Sequence, residues 1–113
     1  MRVEFLYWEE CPSHEEALAR LQAVLQEEGI VAHVEVIRVE TEEQAERLQF
    51  PGSPTIRFDG KDIVPVPEGT RFSLTCRVYH LEDGRVSPLP SKEMIRRALK
   101  GSLDTRTHGR RSG

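Results

Sequence analysis

A chain of 113 residues with 31% charged and 37% apolar side chains can bury a core without metal or disulfide staples. Its net charge of −3 is uneven: the first 101 residues carry 13 basic against 18 acidic side chains, the last twelve three arginines against Asp104. An acidic body argues against nucleic acid as a partner, and no run approaches the roughly 18 apolar residues a membrane helix needs, so no membrane partner is expected either.

Met1-Arg2-Val3-Glu4 leads straight into a strand-like segment, so no signal peptide is expected and the expected compartment is cytoplasmic. Residues 3–8 combine β-branched and aromatic types and read as a first strand. Cys11-Pro12-Ser13-His14 follows. Ser13 and Glu16 have the spacing of a capping box, and Pro12 suits a first turn. From Ala17 the apolar positions Leu18, Leu21, Val24 and Leu25 share a helical face that Gly29 stops. Val31 to Val39 is a second strand whose alternation is broken by His33, Glu35 and Arg38, which suits a sheet edge. Thr41 to Gln44 is another capping box, opening a short helix that ends near Gln49. Thr55–Phe58 and Asp62–Val64 flank Asp59-Gly60 as a β-hairpin.

Segment 65–90 holds four prolines and an Asp83-Gly84 turn. It is longer than an ordinary connection and is either functional or an inserted small hairpin. Ser91 caps a last helix with Met94, Ile95, Ala98 and Leu99 on one face and Gly101 as its end. Residues 102–113 have almost nothing to bury and read as a disordered basic tail. The order is β-α-β-α-β-β-α, an α/β fold with the first two strands parallel through a right-handed crossover.

Two cysteines in such a chain point to catalytic, redox or metal chemistry rather than a structural framework. Cys11 sits where a strand passes into a helix, and unpaired amides at a helix start favour the reactive thiolate. His14, one turn on, either supplies a positive charge or hydrogen bond or is a solvated first-turn histidine. Glu9, Glu10, Glu15 and Glu16 oppose a further negative charge; at exposed sites each such term is worth about 0.3–1 kcal/mol, so they can cancel. The plain alternative is a buried, inert cysteine. Cys76 either meets Cys11 or packs inward on a Phe72-Leu74-Cys76-Val78 alternation. Cys11, His14 and Cys76 together would offer three donors to zinc, copper or mercury.

Cys11-Pro12 after the first strand and Ser53-Pro54 before the third, in this element order, resemble the thioredoxin-like superfamily. The closer likeness is to small glutaredoxin-like members, whose motif places a tyrosine a few residues before Cys-Pro-x-Cys. The resemblance covers residues 1–64 plus the last helix. It implies a thioredoxin-like domain over 1–101, with a mixed four-stranded sheet flanked by helices and 65–90 inserted before the last helix. Cys11 then maps onto the nucleophile and Pro54 onto a cis proline beside it. The backbone of Ser53 maps onto the edge that pairs with bound peptide or glutathione, with Trp8 and Pro12 at the rim. His14 stands where the motif has its second cysteine. In the implied topology the fourth strand returns toward Cys11, so the segment carrying Cys76 starts at the correct end of the sheet; bridging needs Cα atoms within about 7 Å.

The function so implied is thiol–disulfide chemistry. Cys11 attacks a disulfide or is oxidised to a sulfenic acid, and Cys76 or an external thiol such as glutathione resolves the product. The catalytic set is Cys11, Cys76 and His14; Ser53, Pro54, Trp8 and Pro12 contact substrate. The expected partners are a disulfide-containing protein or a low-molecular-weight thiol, with no resident metal or cofactor. Two alternatives stand beside it. One is soft-metal capture by Cys11, His14 and Cys76, to which a distant similarity to the thioredoxin-like part of organomercurial lyases belongs. The other is a redox-inert binding module that uses the groove beside Pro54.

Overall fold

Alternation along β1 (Val3–Tyr7) sets the layering of the computed structural model, which describes the backbone of residues 1–112 and side chains through 104. Val3 and Phe5 point to one side, where they pack with Ala17, Leu21, Val24 and Leu25 of α1 (His14–Glu27) and Ile95 and Leu99 of α3 (Lys92–Ser112). Leu6 points to the other side and packs with Val39, Phe50 and Ala45, the last from α2 (Glu42–Arg47). Successive side chains of a strand face opposite ways, so one central strand serves both cores.

The sheet has four strands in the order β2-β1-β3-β4, with β2 (Val34–Arg38), β3 (Thr55–Phe58) and β4 (Lys61–Asp62). β2 runs parallel to β1, with Phe5 opposite Val36; β3 is antiparallel to β1, with Phe5 opposite Ile56, and β4 is antiparallel to β3. The polar residues of β2 do mark a sheet edge, although the strand begins at Val34, with Val31 left fully exposed. The architecture is therefore mixed α/β with a four-stranded mixed sheet and three helices among the described residues.

Local chemistry accounts for most of the boundaries. Thr41 Oγ1 accepts from the Gln44 N–H at 3.0 Å, and Gln44 returns a bond to the Glu40 N–H at 2.8 Å. Asp59 and Gly60 both take positive φ, 53° and 81°, which the tight turn between β3 and β4 requires. Segment 65–90 contains a second, two-stranded sheet, β5 (Tyr79–His80) with β6 (Val86–Ser87), turning through Asp83-Gly84. Ser91 Oγ accepts from the Met94 N–H at 3.1 Å and starts α3. Arg96 then ties α3 to α1 through Glu27 at 2.8 Å and Glu28 at 3.2 Å.

Two expectations change. Ser13 is the N-cap of α1, but its side chain makes no cap bond, so the capping box with Glu16 does not form. Gly101 does not end α3: the helix continues to Ser112, and Leu103, beyond the glycine, packs against the α1–α3 core. The side chains of 105–113, most of the expected basic tail, lie outside the described residues.

Candidate functional site: a Cys11–Cys76 pair

The register of β1 and β3 places Leu6 opposite Thr55, so the loop leaving β1 meets the loop entering β3. Trp8 donates its N–H to Ser53 Oγ at 3.0 Å, and Cys11 closes a turn by donating its N–H to the Trp8 carbonyl at 3.0 Å. These bonds seat the Cys11 side chain, 1% exposed, 3.4 Å from Ser13 Oγ and 3.5 Å from the Ser53 carbonyl oxygen. The Ser53-Pro54 peptide is cis. The hydroxyl missing from the α1 cap is thus accounted for: Ser13 faces the thiol instead of the helix amides.

The backbone of Ser53 is already paired within the chain. Its N–H donates to the Thr75 carbonyl at 2.8 Å and its carbonyl accepts from the Arg77 N–H at 2.9 Å, a parallel bridge centred on Cys76. Cys76 is thereby held over Cys11, the two cysteines approaching to 3.1 Å with their side chains in hydrogen-bonding contact. Both thiols are free, one buried and one exposed.

A polar cluster pins this segment down. Arg77 donates to Asp62 at 2.8 Å, both side chains about nine-tenths buried, and lies 4.9 Å over the Tyr79 ring. The Tyr79 hydroxyl donates to the Pro54 carbonyl at 2.5 Å, and burial pushes that phenol up so that it stays protonated. Gly52, at φ 147°, permits the close approach: a Cβ there would stand 3.0 Å from Arg77 Cβ.

The two thiols are electrostatically unlike. Burial pushes Cys11 up, but hydrogen bonds from the Ser13 hydroxyl, the Cys76 thiol, the Ser13 N–H and the Ser53 hydroxyl outweigh it, so Cys11 ionises below its ordinary 9.0. Cys76, the donor in that contact, is pushed up to about 11 by the hydrogen bond to Cys11, by burial and by the Cys11 charge. As a neutral thiol Cys11 can donate to the Ser53 carbonyl; once ionised it cannot, and the carbonyl keeps Arg77 N–H as its partner. The negative charge therefore settles on Cys11.

Cys11, Cys76, Ser53 and Pro54 lie together, Cys76 taking the first of the two placements the sequence left open; His14, Trp8 and Pro12 sit differently. His14 stacks on Tyr7, ring centroids 4.6 Å apart, and is not among the groups acting on the Cys11 thiol. Trp8 packs its side chain against the α2 core and contributes its backbone N–H, while Pro12 is exposed. Among the described residues no group of three or more His, Cys, Asp or Glu side chains is placed to hold a metal ion. The alternative of an inward alternation over 72–78 holds only at its start: Phe72 and Leu74 are half-buried, whereas Cys76 and Val78 are exposed and Tyr79 is buried.

Nothing in the sequence assigns Ser13, Gly52, Asp62, Arg77 or Tyr79 to the site. The only signal Ser13 carries is that of a helix cap. Arg77 and Asp62 are fifteen positions apart across a prolonged loop, with no spacing to betray the pair. None of the family models, curated proteins or solved structures compared with this chain matches it.

Proposed function

We propose that this is a thioredoxin-like thiol–disulfide redox protein whose working couple is Cys11 and Cys76. The observation that carries the reading is the approach of the two cysteines to 3.1 Å, one with its pKa lowered and the other with its pKa raised. The strand order β2-β1-β3-β4, with a helix on one face and two on the other, supports the fold assignment. Cys11 is the nucleophile that closes the intramolecular bridge, and Cys76 supplies the second sulfur that His14 displaces from the helix motif. Oxidation removes two electrons and two protons from the pair, which an external disulfide accepts as two thiols.

The soft-metal alternative retains two of its three donors, since His14 is turned onto Tyr7. The inert binding module needs a free backbone edge at Ser53, and segment 75–77 already occupies it. Equilibration with glutathione redox buffers tests the reading. Wild-type protein is expected to pass through one two-electron transition that Cys11→Ser and Cys76→Ser both abolish. A pair that stays reduced across the whole buffer range overturns it.

A further inference from the structure

Cys11 is 1% exposed, with Ser13, the Ser53 carbonyl and the chain's own Cys76 against its sulfur, and Cys76 is itself exposed. Segment 75–77 uses both backbone groups of Ser53, and Pro54 is buried beneath it. An incoming polypeptide strand would find its hydrogen-bonding edge taken. That segment is also anchored at its far end by the Arg77–Asp62 pair and the Tyr79–Pro54 bond. A partner that must reach Cys11 has to lift all of this; a partner that reaches Cys76 has to lift nothing.

From this geometry we propose that Cys76 is the exchange sulfur: a low-molecular-weight thiol reduces the Cys11–Cys76 bridge by bonding to Cys76 and expelling Cys11. The inference rests on the redox couple proposed above and assigns the order of events within it. The external thiolate attacks Cys76 Sγ, and the electron pair of the breaking S–S bond leaves on Cys11 Sγ. Ser13 is in place to stabilise that thiolate through its hydroxyl and its N–H. A second external thiolate then attacks the outer sulfur of the mixed disulfide. Cys76 leaves as a thiolate and takes a proton from solvent. Two external thiols become one disulfide, and the bridge gains two electrons. Exchange is faster when the attacked sulfur is accessible and the leaving thiol is the more acidic, and here both conditions select Cys76 for attack and Cys11 for departure. In the usual arrangement of such motifs the thiol at the helix start is the outward one; here the positions are exchanged.

The test uses full-length protein, oxidised and then treated briefly with limiting glutathione, quenched in acid and alkylated before peptide mapping. Glutathione on Cys76 with the alkyl group on Cys11 is expected, in excess of the opposite product by at least about tenfold. The opposite product, or an even mixture, overturns the proposal. If the mixed disulfide closes too fast to trap, the single-cysteine variants decide. Cys11→Ser should be modified by glutathione disulfide at least about tenfold faster than Cys76→Ser, because the thiol kept in the first is the exposed one and the thiol kept in the second is the buried one. Equal rates, or a faster Cys76→Ser protein, overturn it. Failure of the bridge to form at all is visible before glutathione is added, and it removes the redox couple itself rather than the order of attack.

Discussion

Gly52 and Arg77 touch so closely that no side chain fits between them: a Cβ on Gly52 would lie 3.0 Å from Arg77 Cβ and 3.2 Å from its backbone N and Cα. This contact lets segment 75–77 lie along Ser53, and it is what brings the second cysteine to the first. Gly52→Ala combines that clash with a φ of 147° that L residues rarely adopt. It is expected to cost about 1–3 kcal/mol in denaturant unfolding and to slow bridge formation. Gly60→Ala, which meets no atom within 4 Å, is the control and should leave bridge formation unchanged.

Arg77 and Asp62 form a buried ion pair, and each would be left uncompensated by loss of the other. Arg77→Met should destabilise the protein by about 3–5 kcal/mol, whereas Arg77→Met with Asp62→Leu should recover much of that loss. A double-mutant cycle in urea checks this. With Asp62→Leu as the second single variant, a double-variant cost equal to the sum of the two single costs would show that the pair does not act as a unit.

Ser13→Ala separates a thiol partner from a helix cap. A lost cap bond costs typically about 1 kcal/mol, and Thr41→Ala, which removes one, should show a loss of that order. Ser13 makes no cap bond, so Ser13→Ala should change stability by less than Thr41→Ala while moving the Cys11 pKa upward. Thermal unfolding and ultraviolet thiolate absorbance read the two effects separately.

The reduced pair should titrate in two steps, the first below 9.0 and the second near 11. The linkage signs are opposite. Cys11, lower in the folded state, contributes stability that is present above its unfolded pKa and lost as pH falls through its folded value. Cys76, raised, contributes stability that is present below its unfolded pKa and lost as pH rises through about 11. Reduced protein should therefore lose stability between about pH 9 and 11, and Cys11→Ser, which removes the largest cause of the Cys76 shift but leaves its burial and the raised Tyr79 phenol, should lose less. Thiolate absorbance and urea midpoints across that window check both statements.

The sheet was legible because its signals are local. The Val3–Tyr7 alternation, the Thr41 capping box and the Asp59-Gly60 turn each act within a few residues, and each appears where the pattern put it. The end of α3 was misjudged because a glycine can stay helical when apolar side chains on both sides of it, Leu99 and Leu103, pack on the same core. The site was half legible. Cys11 and Pro54 announce themselves by their positions at strand ends. The parallel pairing of Ser53 with segment 75–77 depends on how a proline-rich loop folds back, and no periodicity in 65–90 encodes it. Ser13 illustrates the same limit: a hydroxyl at a helix start has two available partners, and only the tertiary placement of Cys11 decides between them.

The most direct test of the account is a non-reducing peptide map of reduced protein that has been mildly oxidised and then alkylated, beside Cys11→Ser and Cys76→Ser controls. The account predicts one Cys11–Cys76 bridge within a single chain, removed by dithiothreitol and absent from both controls. Two freely alkylated cysteines after oxidation, or bridges only between chains, would contradict it.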